Sequence, residues 1–400
     1  MLRSFFHRRS PALLPVTVAA LVCLGSATAR ADASCHTGWV VVPSPVVDVN
    51  NDNDLSSVAG RAANDIWAVG QFAPASDPNI TRTLTFHFNG SNWSIVPSDN
   101  VGAQANALLR VAALANGHAW AVGYHIDDST KWARSLIEFW DGTAWHAVDH
   151  PEPGESAQFF GVAATGPGDV WAVGTYQQPL GTLHTLIEHF DGSAWSIVAS
   201  PNPGATGNQL YAVVAAGPNR ALAVGTSDGA SGPARPLVQF WNGQTWTNVP
   251  APHDAEAYFS LYGFAARNDS LIAVGEAEDD VPAIGTTGLV LQGPGGLSHR
   301  ASVSRAGAGD NHLYDVAIGP DGQAWAVGGQ FDVASGNVQT LIEALAPGGS
   351  GGWQIVASPS PNPNDDNILG GVTVIDHDAW AVGVAPNANA RQTLILHRCL

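Results

Sequence analysis

Lysine occurs once in this chain, at Lys131, and Asp, Glu, Lys and Arg together supply only 12% of the residues. With a formal net charge of −18, the chain has little with which to neutralise a phosphate backbone. That excludes nucleic acid and an anionic membrane surface as partners. No His-Glu-x-x-His pair and no phosphate-binding glycine loop occurs. The 14 histidines are scattered without metal-ligand spacing. A sialidase-like site needs several Arg converging with a Tyr and a Glu, and the context of Arg61, Arg82 and Arg110 does not repeat that arrangement. Past Ala31, no apolar run reaches the ~18 residues of a membrane-crossing helix.

The N-terminus differs from the rest. Arg3, Arg8 and Arg9 form a basic start, Leu13 to Gly25 is apolar, and Ala29-Arg30-Ala31 has the small-x-small form of a cleavage site. Residues 1–31 therefore read as a signal peptide, with 32–400 as one domain and the mature chain secreted or periplasmic. Ala27-Thr28-Ala29 is an alternative cleavage site, and an uncleaved anchor is the competing reading, which the short apolar run disfavours. Cleavage after Ala31 deletes four Arg and no acid, taking the charge from −18 to −22.

What is abundant is turn residues, with 44 Gly and 26 Pro, and a repeat. Asp169-Val170-Trp171-Ala172-Val173-Gly174 returns along the chain, ending at Gly70, Gly123, Gly174, Gly225, Gly275, Gly328 and Gly383. Two of these copies, Leu222 to Gly225 and Ile272 to Gly275, replace the Trp. Each repeat holds four short runs rich in Val, Ile, Phe and Trp, bounded by Gly, Pro and Asx turns, so the runs read as strands. Asx-Gly recurs between the third and fourth runs, at Asn89, Asp141, Asp191 and Asn242, and predicts a hairpin with positive φ at both central residues. Four antiparallel strands per repeat, seven times, predict an all-β, seven-bladed β-propeller.

The first strand of each repeat is expected to be small, suiting the crowded axis. The fourth carries Trp93, Trp145, Trp195, Trp246 or Trp353, expected to pack blade against blade at the wider rim. The fifth repeat lacks this Trp, and its Leu289 to Pro294 hairpin is degenerate. The seventh stops after its third strand, Leu394 to Arg398. Its fourth is found at the other end, where Trp39-Val40-Val41-Val42-Pro43-Ser44-Pro45 matches Trp195 to Pro201. Blade 7 is thus expected to combine 369–400 with 35–45 and close the ring. Cys35 and Cys399 map onto one hairpin turn of that blade, which predicts a disulfide in an oxidising compartment.

The repeats resemble secreted bacterial seven-bladed β-propellers, in the neighbourhood of kelch and Asp-box repeat proteins. The resemblance covers residues 33–400. Kelch blades usually end the second strand in a double glycine, here present at Gly328-Gly329; Asp-box repeats place one residue between Asp and Gly, and Asp191-Gly192 has none. Such folds host lectins, hydrolases, lyases and interaction scaffolds, so the fold alone selects no activity.

Function is sought on one face of the disc. The connections between strands two and three, and between blades, are long and variable; the others are short. On the long-loop face, Tyr124, His125, Asp127, Asp128, Trp132 and Arg134 of the second repeat, extended by Tyr176 and Phe72, form a candidate sugar-binding surface. A loop capped by its own aromatic is the commoner origin of such a set. Asp48, Asn50, Asp52 and Asp54 place oxygens at alternate positions, as calcium loops do, without the Gly and Glu of an EF-hand. A solvated Asx-rich turn is the favoured reading there, with a looser calcium site the alternative. Glu276, Glu278, Asp279 and Asp280 form a second acidic run, by default solvated. Glu138, Glu188 and Glu343 recur at one strand position and read as structural.

The leading expectation is a monomeric, non-enzymatic binding module for a glycan or protein ligand. The alternative is a carbohydrate-active enzyme, a glycoside hydrolase or polysaccharide lyase, with carboxylates or a His and Tyr pair at the mouth of the central channel. A lectin with one site per blade ranks below both, because the loops differ from repeat to repeat.

Overall fold

The computed structural model describes residues 29–30, 36–178, 181–229, 233–253, 258–278, 286–294, 297, 299–303, 309–349, 352–387 and 390–400. Seven antiparallel sheets follow one another around a ring. Blade 3 is typical, with strands Ser156–Gly166, Asp169–Gln177, Leu183–Phe190 and Trp195–Ile197 from the axis outward. The first strands of the other blades are Asn53–Ala62, Asn106–Ala113, Gly207–Ala215, Tyr258–Arg267, Asn311–Ile318 and Ile368–Ile375. In blade 5 the hairpin read as degenerate is completed, since Thr286–Pro294 pairs with a fourth strand at His299–Val303. A two-residue strand, Ala29–Arg30, lies on the outer edge of blade 1 and precedes the expected cleavage point.

Tryptophan welds the blades together. Trp67 meets Trp145, Trp120 meets Trp195 and Trp171 meets Trp246, edge to face, with ring centroids 5.1, 5.3 and 5.3 Å apart. In each pair the second-strand ring of one blade packs on the fourth-strand ring of the next. Trp380 meets Trp93 in the same way at 5.5 Å, across the seam between blades 7 and 1. In blades 1, 3 and 7 a histidine stacks on the second-strand Trp and bonds an Asp two residues before it. His189, for example, lies 4.1 Å from Trp171 and 2.8 Å from Asp169 Oδ1. The expected packing role of the repeated Trp residues holds.

The repeated glycine has a steric cause. Every innermost strand carries a β-bulge beside it, as between Phe159 and Gly161. A Cβ on Gly174 would lie 1.9 Å from the Gln158 carbonyl oxygen, and a Cβ on Gly70, Gly225 or Gly275 would be as close to its own partner. The Asx-Gly hairpins differ from expectation. Their loops are four residues long, as between Phe190 and Trp195, and only the Gly has positive φ, 96° at Gly192. Asp191 instead accepts hydrogen bonds from the amides of Ser193 and Ala194.

The ring closes with both ends of the chain. Val40–Val41 is the outer strand of blade 7, pairing with Leu396 and His397. Trp39 then takes the fourth-strand position and packs on Trp325 at 5.4 Å. Ser44 bonds Thr393 at 2.7 Å, as Ser200 bonds Thr185 within blade 3. The Cys399 amide donates to the His36 carbonyl at 2.9 Å, while Cys35 lies outside the described residues. Among the described residues, no helix is long and apolar enough to cross a membrane.

Candidate functional site

The bulges that demand the glycines also push one residue per blade out of the ladder. These residues are Ser56, Leu109, Phe160, Tyr211, Tyr262, Tyr314 and Gly370. Each is half-buried, although its neighbours at the bulge are mostly buried. The four aromatic ones belong to none of the seven hydrophobic clusters between blades. A side chain on an innermost strand that is outside those cores faces the channel. The expectation of small residues at the axis is therefore corrected at this position. Phe160, Tyr211, Tyr262 and Tyr314 form an arc over blades 3 to 6, with successive centroids 5.2, 5.2 and 5.8 Å apart.

Two polar groups adjoin the arc. Tyr262 donates its hydroxyl to Glu276 Oε1 at 2.6 Å, and His312 of blade 6 bonds the other oxygen, Oε2. Glu276 is near the end of the second strand of blade 5, from which the long loop departs. The cluster thus sits toward the long-loop face. Burial opposes ionisation of Glu276, but the hydrogen bond and charge of His312 outweigh it and hold the carboxyl below its usual range. For His312 burial is likewise overcome by Glu276, which raises the imidazole's affinity for its proton. The two form an ion pair across the blade 5–6 boundary. Burial and then the Glu276 charge push Tyr314 up to about 12.

One layer deeper the channel is barred. Arg110 of blade 2 reaches Asp315 of blade 6, Nη1 to Oδ2, at 2.9 Å. Asp315 also accepts from the Val372 amide at 3.0 Å. Together with Ser57, Val162, Val213 and Phe264 the pair lines a cavity of about 120 Å³.

The second-repeat loop is occupied with its own turn. Asp127 Oδ1 accepts from the amides and hydroxyls of Ser129 and Thr130. Those bonds, the Thr130 amide foremost, hold its carboxyl well below the usual range. Asp128 accepts from the Ala103 amide at 3.1 Å, and Arg134 donates to the Gly154 carbonyl at 2.8 Å. Burial raises the Tyr124 phenol and lowers the His125 imidazole. Tyr176 lies in blade 3 with its ring near His184, centroid distance 5.5 Å. Trp132, 38% exposed, is the aromatic this loop presents to solvent.

The Asp48 to Asp54 run is one copy of a repeated clamp. Buried Asn53 donates to the carbonyls of Asp48 and Asn51, as Asn106, Asn208 and Asn367 do to their own connections. Arg391 lies 3.0 Å from both Asp52 and Asp54, and Asp48 accepts from Asn50 and Asn51. Asp52 and Asp54 converge on the Arg391 guanidinium, while Asp48 caps its own turn. Asp378, His397 and Cys399 come within 4.8 Å of one another, but His397 already completes the Asp and Trp stack of blade 7. The expected disulfide would remove the sulfur as well.

Glu138, Glu188 and Glu343 are buried at 0, 0 and 1% exposure in the third strands, as expected of structural residues. Gly225-Thr226-Ser227-Asp228-Gly229 spells a nucleophile elbow, yet Ser227 lies in a strand, paired with Asn208 and Arg235. Asp279 and Asp280 lie outside the described residues; Glu276 of that run is the one the site employs. The arc itself was missed. Its signal is a column in the repeat, with Tyr211, Tyr262 and Tyr314 all immediately following the leucine that faces the glycine.

No family model matches the chain, and no curated protein matches it. Among solved structures it is similar to YCF48 bound to D1 peptide, at 14% identity over 73% of this chain and 91% of the other, with a TM-score of 0.43. It is also similar to the Penicillium chrysogenum alpha-L-arabinanase complexed with arabinobiose, at 10% identity over 72% and 92%, with a TM-score of 0.49. At these identities the likeness is one of fold alone.

Proposed function

We propose that the chain is an exported, non-enzymatic binding propeller whose ligand sits at the mouth of the channel over blades 3 to 6. The observation that carries this is the arc of Phe160, Tyr211, Tyr262 and Tyr314, four rings in contact that the inter-blade cores do not use. Half-buried rings held on rigid strands offer area at low entropic cost, which is what a binding surface needs. Glycans and protein partners both present groups that stack on such rings. Export rests on the signal-like N-terminus, and the Cys35–Cys399 disulfide belongs to the same reading.

The enzyme reading draws on the Tyr262, Glu276 and His312 contacts. Each polar group there is spent on another: the carboxylate is ion-paired, and burial followed by the Glu276 charge makes Tyr262 hold its proton more tightly. A carboxylate held below its usual range is a weaker general base. Equilibrium binding of a glycan and peptide panel tests the two readings. Tyr211→Leu and Tyr314→Leu are expected to weaken binding about tenfold or more. Equal binding by wild type and both variants removes the arc as the site. Turnover of a bound glycan, lost in Glu276→Gln with binding retained, replaces the module with an enzyme.

A further inference from the structure

We infer, on the channel-mouth reading above, that the arc receives an organic cation, an alkylammonium or a guanidinium group. The faces of Tyr211, Tyr262 and Tyr314 carry the negative lobe of the ring quadrupole and attract a cation within ~6 Å of the ring centre. Tyr211 and Tyr262 meet edge to face at 5.2 Å, and His312 already stacks on Tyr314 at 6.1 Å, so the cation is placed against Tyr211 and the neighbouring Tyr262.

The charges around the arc agree in sign. Asp228 ends the second strand of blade 4, Glu276 and Glu278 that of blade 5, and Asp310 precedes the first strand of blade 6. Asp228 and Glu276 both act to raise the Tyr211 phenol, though burial is the larger cause. Among the described residues, the cationic side chains at and below the arc are committed. His312 is bonded to Glu276, and Arg110, in the layer below, to Asp315. The single lysine, Lys131, is in the blade 2 loop. An anionic ligand would meet net repulsion here. A neutral sugar would rely on hydrogen bonds, and half of the acceptor sites of Glu276 are already taken by Tyr262 and His312. A soft, weakly hydrated cation needs only the ring faces and the negative field.

The test is isothermal titration calorimetry on the purified full chain at fixed ionic strength. The probes are choline, arginine amide and the neutral choline isostere 3,3-dimethylbutan-1-ol. At least one cation is expected to bind roughly tenfold or more tighter than the isostere. That preference should be lost in Tyr211→Leu and kept in Tyr211→Phe, with both variants melting cooperatively. Should Tyr211→Leu fail to fold, Asp228→Asn is expected to weaken the cation and leave the isostere unchanged. Choline binding with arginine amide inert assigns a free quaternary ammonium; the reverse assigns a peptide side chain. An isostere that binds as tightly as the cations overturns the inference, as does cation binding that Tyr211→Leu and Asp228→Asn both leave intact. A glycan that binds through Tyr211 while no cation binds overturns the cation and preserves the binding module.

Discussion

Arg110 and Asp315 face each other across the channel, one from blade 2 and one from blade 6, with 2.9 Å between guanidinium nitrogen and carboxylate oxygen. The pair is largely buried, at 16 and 9% side-chain exposure. Burial raises the Asp315 carboxyl, and the Arg110 charge works against that. Removing one partner leaves the other largely buried without its counter-charge. Arg110→Ala is expected to cost about 3 kcal/mol, and Arg110→Ala with Asp315→Ala together less than the sum of the singles. Urea unfolding of the two singles and the double measures both; additive losses would show that the pair is not coupled.

A second prediction concerns pH. Burial pushes Glu343 from 4.5 up to about 8. The folded state therefore binds this proton more tightly than the unfolded chain does. Its contribution to stability is full below about 4.5, falls as pH rises, and is gone above about 8. Gln239 and Leu291, both uncharged, already stand at the same strand position in blades 4 and 5. Glu343→Gln should remove the loss, stabilising by on the order of a few kcal/mol at pH 9 and by little at pH 4. Melting curves of the two proteins across that range decide it. Parallel curves would mean that Glu343 is not titrating in the fold.

The bulge glycines predict a sharp size limit. With a Cβ placed 1.9 Å from the Gln158 carbonyl, Gly174→Ala cannot be accommodated without opening the inner ladder. A cost of about 3 kcal/mol or more is expected, against little for Gly166→Ala, where a Cβ meets nothing within 4 Å. Comparable urea midpoints for the two would contradict the steric argument.

The two classes of tryptophan should separate cleanly. Trp171, 1% exposed and packed on Trp246, is expected to cost about 3–5 kcal/mol on truncation to Ala. Trp132, 38% exposed, is expected to cost within about 1 kcal/mol. A ligand lost in Trp132→Ala but kept in Tyr211→Leu would move the binding site to the blade 2 loop.

The proposed disulfide is tested by reduction. The entropy of closing a loop spanning nearly the whole chain corresponds to roughly 5 kcal/mol as an upper value. Cys399→Ser and reduced wild type should melt at the same lowered temperature. A reduced protein that melts as the oxidised one does, with two titratable thiols, rules the bond out.

The ring could be read from the sequence because its constraints recur at fixed spacing. Trp67, Trp120, Trp171, Trp325 and Trp380 meet the same partner geometry in each blade, and one bulge needs one glycine each time. The closure at Trp39 was legible for the same reason, as a fourth strand displaced to the far end. The site was less so. Glu276 and His312 are 36 residues apart and on different blades, and only the ring brings them together. The tyrosine column shares its position with Ser56, Leu109 and Gly370 elsewhere, so it repeats in place but not in kind. The partner of the Asp48 to Asp54 run is hidden for the same reason as that of Glu276. The run's oxygens alternate as calcium ligands do, but Arg391, from the far end of the chain, takes two of them.

The seam at Val40–Val41 also sets an order of events. Its partner is Arg391–Cys399, far later in the chain, so this segment docks only after that strand is made. Until then the rings of Phe88 and Trp93 lack Trp380, the residue that covers them across the seam. The nascent protein is thus an open crescent with one apolar flank bare. Its cooperative lock waits on contacts between the two extremes of the chain, the slowest kind to form and the most exposed to aggregation meanwhile.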